Sequence, residues 1–161
     1  MKKIYLLIAF LLAETLYSTA QNLPAVNLSD IDGAVFNTSR FNNTNGKPVV
    51  LSFWATWCIP CINELTVINE KYDSWKKTAQ FEFYAISVDD SRTTKKVQPL
   101  VNGKNWNIEI LLDKNQDLKR ALNLVNIPYT LVVKDGKIIY KHSGYVEGDE
   151  DILFTTIKEN Q

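Results

Sequence analysis

The only two cysteines of the chain stand in Trp57-Cys58-Ile59-Pro60-Cys61, with two residues between them. A thiolate is the nucleophile of disulfide exchange, and two thiols at this spacing on the first turn of a helix lie close enough to close a bond on each other. The run Val49-Val50-Leu51-Ser52-Phe53-Trp54 just before them is apolar and β-rich, as expected of a strand covered on both faces. Beyond them Ile62, Leu65, Ile68, Tyr72 and Trp75 recur at steps of three and four, which predicts a helix to about Lys77 with one apolar face. The cysteines therefore mark the junction of a buried strand and an amphipathic helix. The free N–H groups and positive dipole end of that helix favour a thiolate on Cys58. Cys61, one turn further in, is better shielded and suits resolution of a mixed disulfide by intramolecular attack. Pro60 belongs in a first helical turn, where no N–H is needed and its fixed φ helps initiation.

Two other chemistries compete for the same residues. A tetrahedral zinc site takes about four ligands, whereas the chain offers two cysteines and one distant histidine, His142. An inert structural bridge would close a very short loop and constrain the unfolded chain little. Exchange is the favoured reading, with no metal and no cofactor. His142 falls on a predicted terminal strand and receives no catalytic role.

The segment from Phe53 to Cys61, followed by Glu64, Ile127-Pro128 and Asp135-Gly136-Lys137, resembles the exported thioredoxin-like proteins of the TlpA and ResA type. The likeness spans nearly all of residues 26–159. It implies a thioredoxin fold, with a mixed central β-sheet flanked by helices, an N-terminal β-hairpin and an added helix and strand between Phe81 and Leu112. It implies Cys58 as the exposed nucleophile, Cys61 as the resolving thiol, and a cis Ile127-Pro128 peptide opposite them, where the Ile127 backbone can pair with an extended substrate. Trp57, Ile59 and Pro60 then border the substrate surface. Thioredoxin carries a buried aspartate six residues before its first cysteine; here that position is Ser52, which cannot act as a carboxylate. Glu64 matches a glutamate near the active site of ResA-type proteins, and partial shielding from water would raise its pKa and let it exchange protons with Cys61.

The elements needed to position these residues are legible from pattern. Residues 25–28 and 35–37 flank Asp32-Gly33, a hairpin signal. Residues 81–88 and 108–112 read as strands, and Asp89-Asp90-Ser91 as the cap of a helix through about Val101, ended by Asn102-Gly103. A short helix over 117–122 precedes Ile127-Pro128, strands 129–133 and 138–142 flank Asp135-Gly136, and 149–158 form a closing helix.

The chain is 161 residues long, which suits one domain after a leader. Lys2 and Lys3, the apolar run 4–13 and Ser18-Thr19-Ala20 form the pattern of a signal peptide over 1–20, leaving a thioredoxin-like domain over 21–161. The apolar run is too short to span a bilayer, so the protein is expected to be periplasmic, or tethered by this segment if it is retained. Loss of Lys2, Lys3 and Glu14 leaves 16 basic and 17 acidic residues. Near-zero net charge argues against nucleic acid as a partner.

The expected function is an exported thiol:disulfide oxidoreductase acting on protein substrates. The ResA resemblance favours reduction, with a role in cytochrome c maturation, a membrane-embedded electron donor and a monomeric state. The alternatives are a peroxiredoxin-like antioxidant enzyme and a non-catalytic binding module. The peroxiredoxin Pro-x-x-x-Thr-x-x-Cys pattern would need Pro and Thr where the chain has Leu51 and Ala55. Intact Cys58 and Cys61 argue against a module without catalysis.

Overall fold

The computed structural model describes residues 21–161; the expected signal segment lies outside the described residues. Seven strands form one mixed sheet: β1 (Asn27–Asp30), β2 (Val35–Asn37), β3 (Val49–Trp54), β4 (Glu82–Ser87), β5 (Glu109–Leu112), β6 (Tyr129–Lys134) and β7 (Lys137–Ser143), in the order β2-β1-β5-β4-β3-β6-β7. The helices are α1 (Ile59–Thr78), α2 (Val97–Lys104), α3 (Asp117–Ala121) and α4 (Asp149–Glu159).

β3 is the spine of the sheet. All six of its residues are buried, so the unbroken apolar run reflects cover on both faces. It pairs parallel with β4, Val49 opposite Glu82 through Trp54 opposite Ser87, and antiparallel with β6, Phe53 opposite Tyr129. On one face α1 lays down Leu65, Ile68, Tyr72 and Trp75. α4 lies beside α1, where Trp75 and Phe154 stack with ring centroids 4.6 Å apart and Lys71 bonds both Glu150 and Asp151.

The two hairpins differ. β6 and β7 are joined by Asp135 and Gly136 alone, with φ of 45° and 76°, the two positive values that a two-residue turn of this hand requires. A side chain at Gly136 would also collide with Asn42, whose Cα lies 3.2 Å from where its Cβ would be. The β1–β2 connection is longer: the Asp30 carboxylate accepts the N–H groups of Asp32 and Ala34, and only Gly33 takes a positive φ.

The added segment departs from its sequence reading. Asp89 does not cap a helix. It is buried, and its carboxylate accepts the Thr56 N–H at 2.8 Å, the Thr56 hydroxyl at 2.7 Å and the Ser87 hydroxyl at 2.9 Å. Asp90 accepts the N–H groups of Arg92 and Thr93, making a turn. The helix begins only after a 3-10 turn over Thr94–Lys96, runs through Gly103, and closes at Asn105, which adopts the left-handed conformation that asparagine tolerates. A competing long-range partner, the β3–α1 turn, took the carboxylate that local pattern assigned to a cap.

That competition positions the site, since Thr56 lies two residues before Cys58. Asp89→Ala leaves the Thr56 N–H and hydroxyl without their acceptor and is expected to cost about 2–3 kcal/mol. The urea midpoint of the oxidised protein measures it; a midpoint equal to that of the parent contradicts the clamp.

Candidate active site

β3 ends at Trp54, and the turn through Thr56 is tied down on one side by Asp89 and on the other by the Cys58 N–H donating to the Ala55 carbonyl at 3.0 Å. Cys58 is the N-cap of α1, in an extended conformation, and its Sγ accepts the Cys61 N–H at 3.4 Å. Pro60 is the second residue of the helix, where it deprives no carbonyl of a bond. Cys58 and Cys61 are joined as a disulfide with their Cα atoms 5.3 Å apart.

The turn sorts its residues by exposure. Trp57 is 62% exposed and Ile59 72%, whereas Cys58 retains 6% and Cys61 none. In the disulfide form Cys58 is thus less open than the exposed nucleophile implied by sequence. The small opening that exists is at Cys58 alone, which favours it over Cys61 as the sulfur a partner can reach.

Ile127-Pro128 is cis. The antiparallel register of Phe53 with Tyr129 brings Pro128 to the end of the sheet where β3 gives way to the cysteine turn. The Pro128 carbonyl accepts the Gly144 N–H at 2.9 Å, anchoring the loop after β7 to the same edge. Trp57, Ile59, Pro60, Ile127 and Pro128, separated by some seventy positions in sequence, therefore share one end of the sheet.

Glu64 lies one turn inward from Cys61 and is 4% exposed, a deeper burial than its sequence position suggested. Thr130 donates its hydroxyl to Glu64 Oε1 at 2.9 Å and Ser52 donates to Oε2 at 3.4 Å. Ser52 and Thr130 are directly opposed on β3 and β6, so the two hydroxyls form a cross-strand pair beneath the helix. Burial pushes the Glu64 carboxyl up from its ordinary 4.5 to about 7; the two hydrogen bonds pull against this, and the negative charges of Asp149 and Glu150 add to it. Sequence reasoning treated Ser52 only as a missing carboxylate, read Asp89 as part of a helix cap, and gave Thr130 and Thr56 no role. The β-branched Thr130 in an otherwise apolar strand, two residues after Pro128, was the one available signal.

The AhpC/TSA family model matches residues 19–142. The chain belongs to the AhpC/TSA family. Within that family it is similar to thiol-disulfide oxidoreductase ResA of Bacillus thuringiensis subsp. konkukian, 29% identical over 122 residues, covering 75% of this chain and 67% of the relative. ResA of Geobacillus kaustophilus is 28% identical over 130 residues, covering 80% and 71%. Among solved structures, an uncharacterized thioredoxin-like protein from Porphyromonas gingivalis is 43% identical, superposes with a TM-score of 0.73 and covers 85% of this chain and 90% of that one. The fold is thioredoxin-like, and the resemblance to ResA-type proteins read from the cysteine motif extends over 75% to 80% of the chain.

A buried carboxyl with a raised pKa has a definite stability signature. The folded state binds the Glu64 proton more tightly than the unfolded chain, so its contribution is complete below about pH 4.5 and is lost as pH rises through about 7. Relative to Glu64→Gln, the oxidised protein should lose about 3 kcal/mol between those limits. Denaturant unfolding of both proteins across this range measures the difference; parallel pH profiles contradict the assignment.

Proposed function

We propose that the protein is an exported thiol:disulfide oxidoreductase that reduces disulfides in other exported proteins, with Cys58 as nucleophile, Cys61 as resolving thiol and Glu64 as proton acceptor. The observation that carries this reading is the Cys58–Cys61 disulfide at the N-terminus of α1, at the same sheet end as Pro128 and one turn from a buried carboxyl. The names of the ResA relatives support the activity.

In the reducing direction the Cys58 thiolate attacks a substrate disulfide. One substrate sulfur leaves as a thiolate and the other is joined to Cys58. Cys61 then gives its proton to the Glu64 carboxylate and attacks Cys58 Sγ. The Cys58–Cys61 bond forms, the mixed disulfide breaks, and the second substrate sulfur leaves as a thiolate. Two electrons have passed to the substrate. A carboxyl titrating at about 7 suits this exchange, because it can take and release a proton near neutral pH.

Trp57, Ile59 and Pro60 provide an apolar rim against which a substrate segment can settle, while the Ile127 backbone beside Pro128 pairs with it as an added strand. Re-reduction requires an electron donor; export places that donor in the membrane, with the domain in the periplasm and apocytochrome c among its substrates. No described helix is long and apolar enough to cross a membrane. The protein acts as a monomer, without cofactor.

Reduction of insulin disulfides with dithiothreitol as donor tests the exchange mechanism: Cys58→Ser should abolish the catalysed rate, and an unchanged rate would falsify it. In the native compartment Cys61→Ser should accumulate mixed disulfides through Cys58, and their partners identify the substrates. Recovery of oxidised rather than reduced client proteins would reverse the proposed direction.

A further inference from the structure

A buried acid that takes a proton at every turnover must also give it up. A cleft of about 10 Å3 is lined by Glu64, Thr130, Tyr140, His142, Asp149, Glu150 and Leu153, with neither cysteine among them. That volume admits about one water, and the lining supplies it with several polar partners. His142 is directly opposed to Thr130 across β6 and β7, so its ring stands on the same sheet face as the hydroxyl bonded to Glu64. Its side chain is 34% exposed while Glu64 is 4% exposed, so the cleft has a dry end at the carboxyl and a wet end at the imidazole.

The imidazole is held in place. His142 Nε2 lies 3.0 Å from Asp149 Oδ2, and that same oxygen accepts the Val146 N–H at 2.8 Å. With Asp149 ionised, Nε2 carries the ring proton and Nδ1 is the free acceptor. The other groups around Glu64 are committed elsewhere or serve it directly. Ser52 and Thr130 donate to it. Glu150 accepts from Lys71, the Tyr145 hydroxyl and the Gly148 N–H, and Lys71 also bonds Asp151. The hydroxyls of Tyr140 and Tyr145 are held above the ordinary phenol range by burial, with neighbouring carboxylates adding to it, and remain protonated. Among these described groups, His142 is the one whose ring, with one donor and one acceptor nitrogen, lines the cleft while remaining about a third exposed.

We propose that His142, oriented by Asp149, is the relay through which Glu64 exchanges its proton with solvent. The inference rests on the role given to Glu64 above. Once Cys61 has passed its proton to Glu64, and before its thiolate attacks Cys58 Sγ, the carboxyl Oε–H bond breaks toward a water in the cleft, so that the proton cannot return to Cys61. That water delivers a proton to His142 Nδ1, and the imidazolium, stabilised by Asp149, loses it to bulk solvent. The carboxylate is restored, no electrons move, and the net product is one proton released. His142 touches no reacting sulfur; it acts through Glu64.

The test is oxidation of the reduced protein by saturating oxidised glutathione, followed by tryptophan fluorescence in a stopped-flow instrument over a range of pH around neutrality. His142→Ala should slow the unimolecular resolution phase about tenfold, within the usual reach of proton-transfer effects, while sparing the bimolecular attack by Cys58. Added imidazole should restore the rate, and Glu64→Gln should be slow and indifferent to imidazole. His142→Gln retains an amide donor toward Asp149 yet cannot carry a proton, and should remain slow. Recovery of the parent rate in His142→Gln, or a His142→Ala rate that is normal or does not respond to imidazole, would overturn the relay. A normal rate in Glu64→Gln would instead overturn the role of Glu64 itself; slow Glu64→Gln with normal His142→Ala removes only the relay.

Discussion

A carboxyl group enclosed between a helix and a hydrophobic sheet is the constraint around which this molecule is arranged. Glu64 is almost wholly buried and pairs with no cation; its partners are the hydroxyls of Ser52 and Thr130, one from each of two adjacent central strands. Two neutral donors stabilise the ionised form only in part, so burial prevails and the group titrates near neutrality. A stronger partner, such as a lysine, would hold the carboxyl ionised at neutral pH. A wholly apolar pocket would hold it neutral throughout. The weak pairing is what leaves both states within reach.

The sulfur chemistry depends on a second buried carboxylate used in the opposite way. Asp89 receives three short hydrogen bonds from protein donors of the β3–α1 turn and the end of β4, and so serves as a fixed anchor. Its function is geometric: it fixes the turn from which Cys58 enters α1 as the N-cap and from which Trp57 is turned outward. The pair illustrates how the number and strength of the donors around a buried carboxyl separate a fixed anchor from a group with a raised pKa.

The sheet joins the two. Because β3 pairs with β4 on one edge and β6 on the other, a single strand register places Asp89 beyond β4, Pro128 before β6 and Cys58 after β3 around one sheet end. The β6–β7 pairing then carries the arrangement outward to His142 and Asp149, so the buried acid, its donors and a partly solvated imidazole occupy one face within three adjacent strands.

Much of this was legible before any coordinates. The unbroken apolar run of β3, the three-and-four spacing of α1, Asp135-Gly136 and the cysteine pair are local signals, and local backbone and burial preferences decided them. The resemblance to ResA-type proteins also nominated Glu64, which matches their glutamate by its offset from Cys61. Asp89 was misread because an aspartate before a polar stretch is a good helix cap on local grounds; a turn thirty-three residues away offered it more donors. Ser52 and His142 were noticed in the sequence but given no role, and Thr130 was marked only as a polar residue in an apolar strand. Sequence by itself determined which residues could do chemistry and which segments would be strand or helix, since those follow from side-chain type and short-range spacing. Only the tertiary structure decided which acid is buried with a raised pKa, which is an anchor, and where a lone histidine stands, because burial, register and hydrogen-bond partners are set by chain segments far apart in sequence.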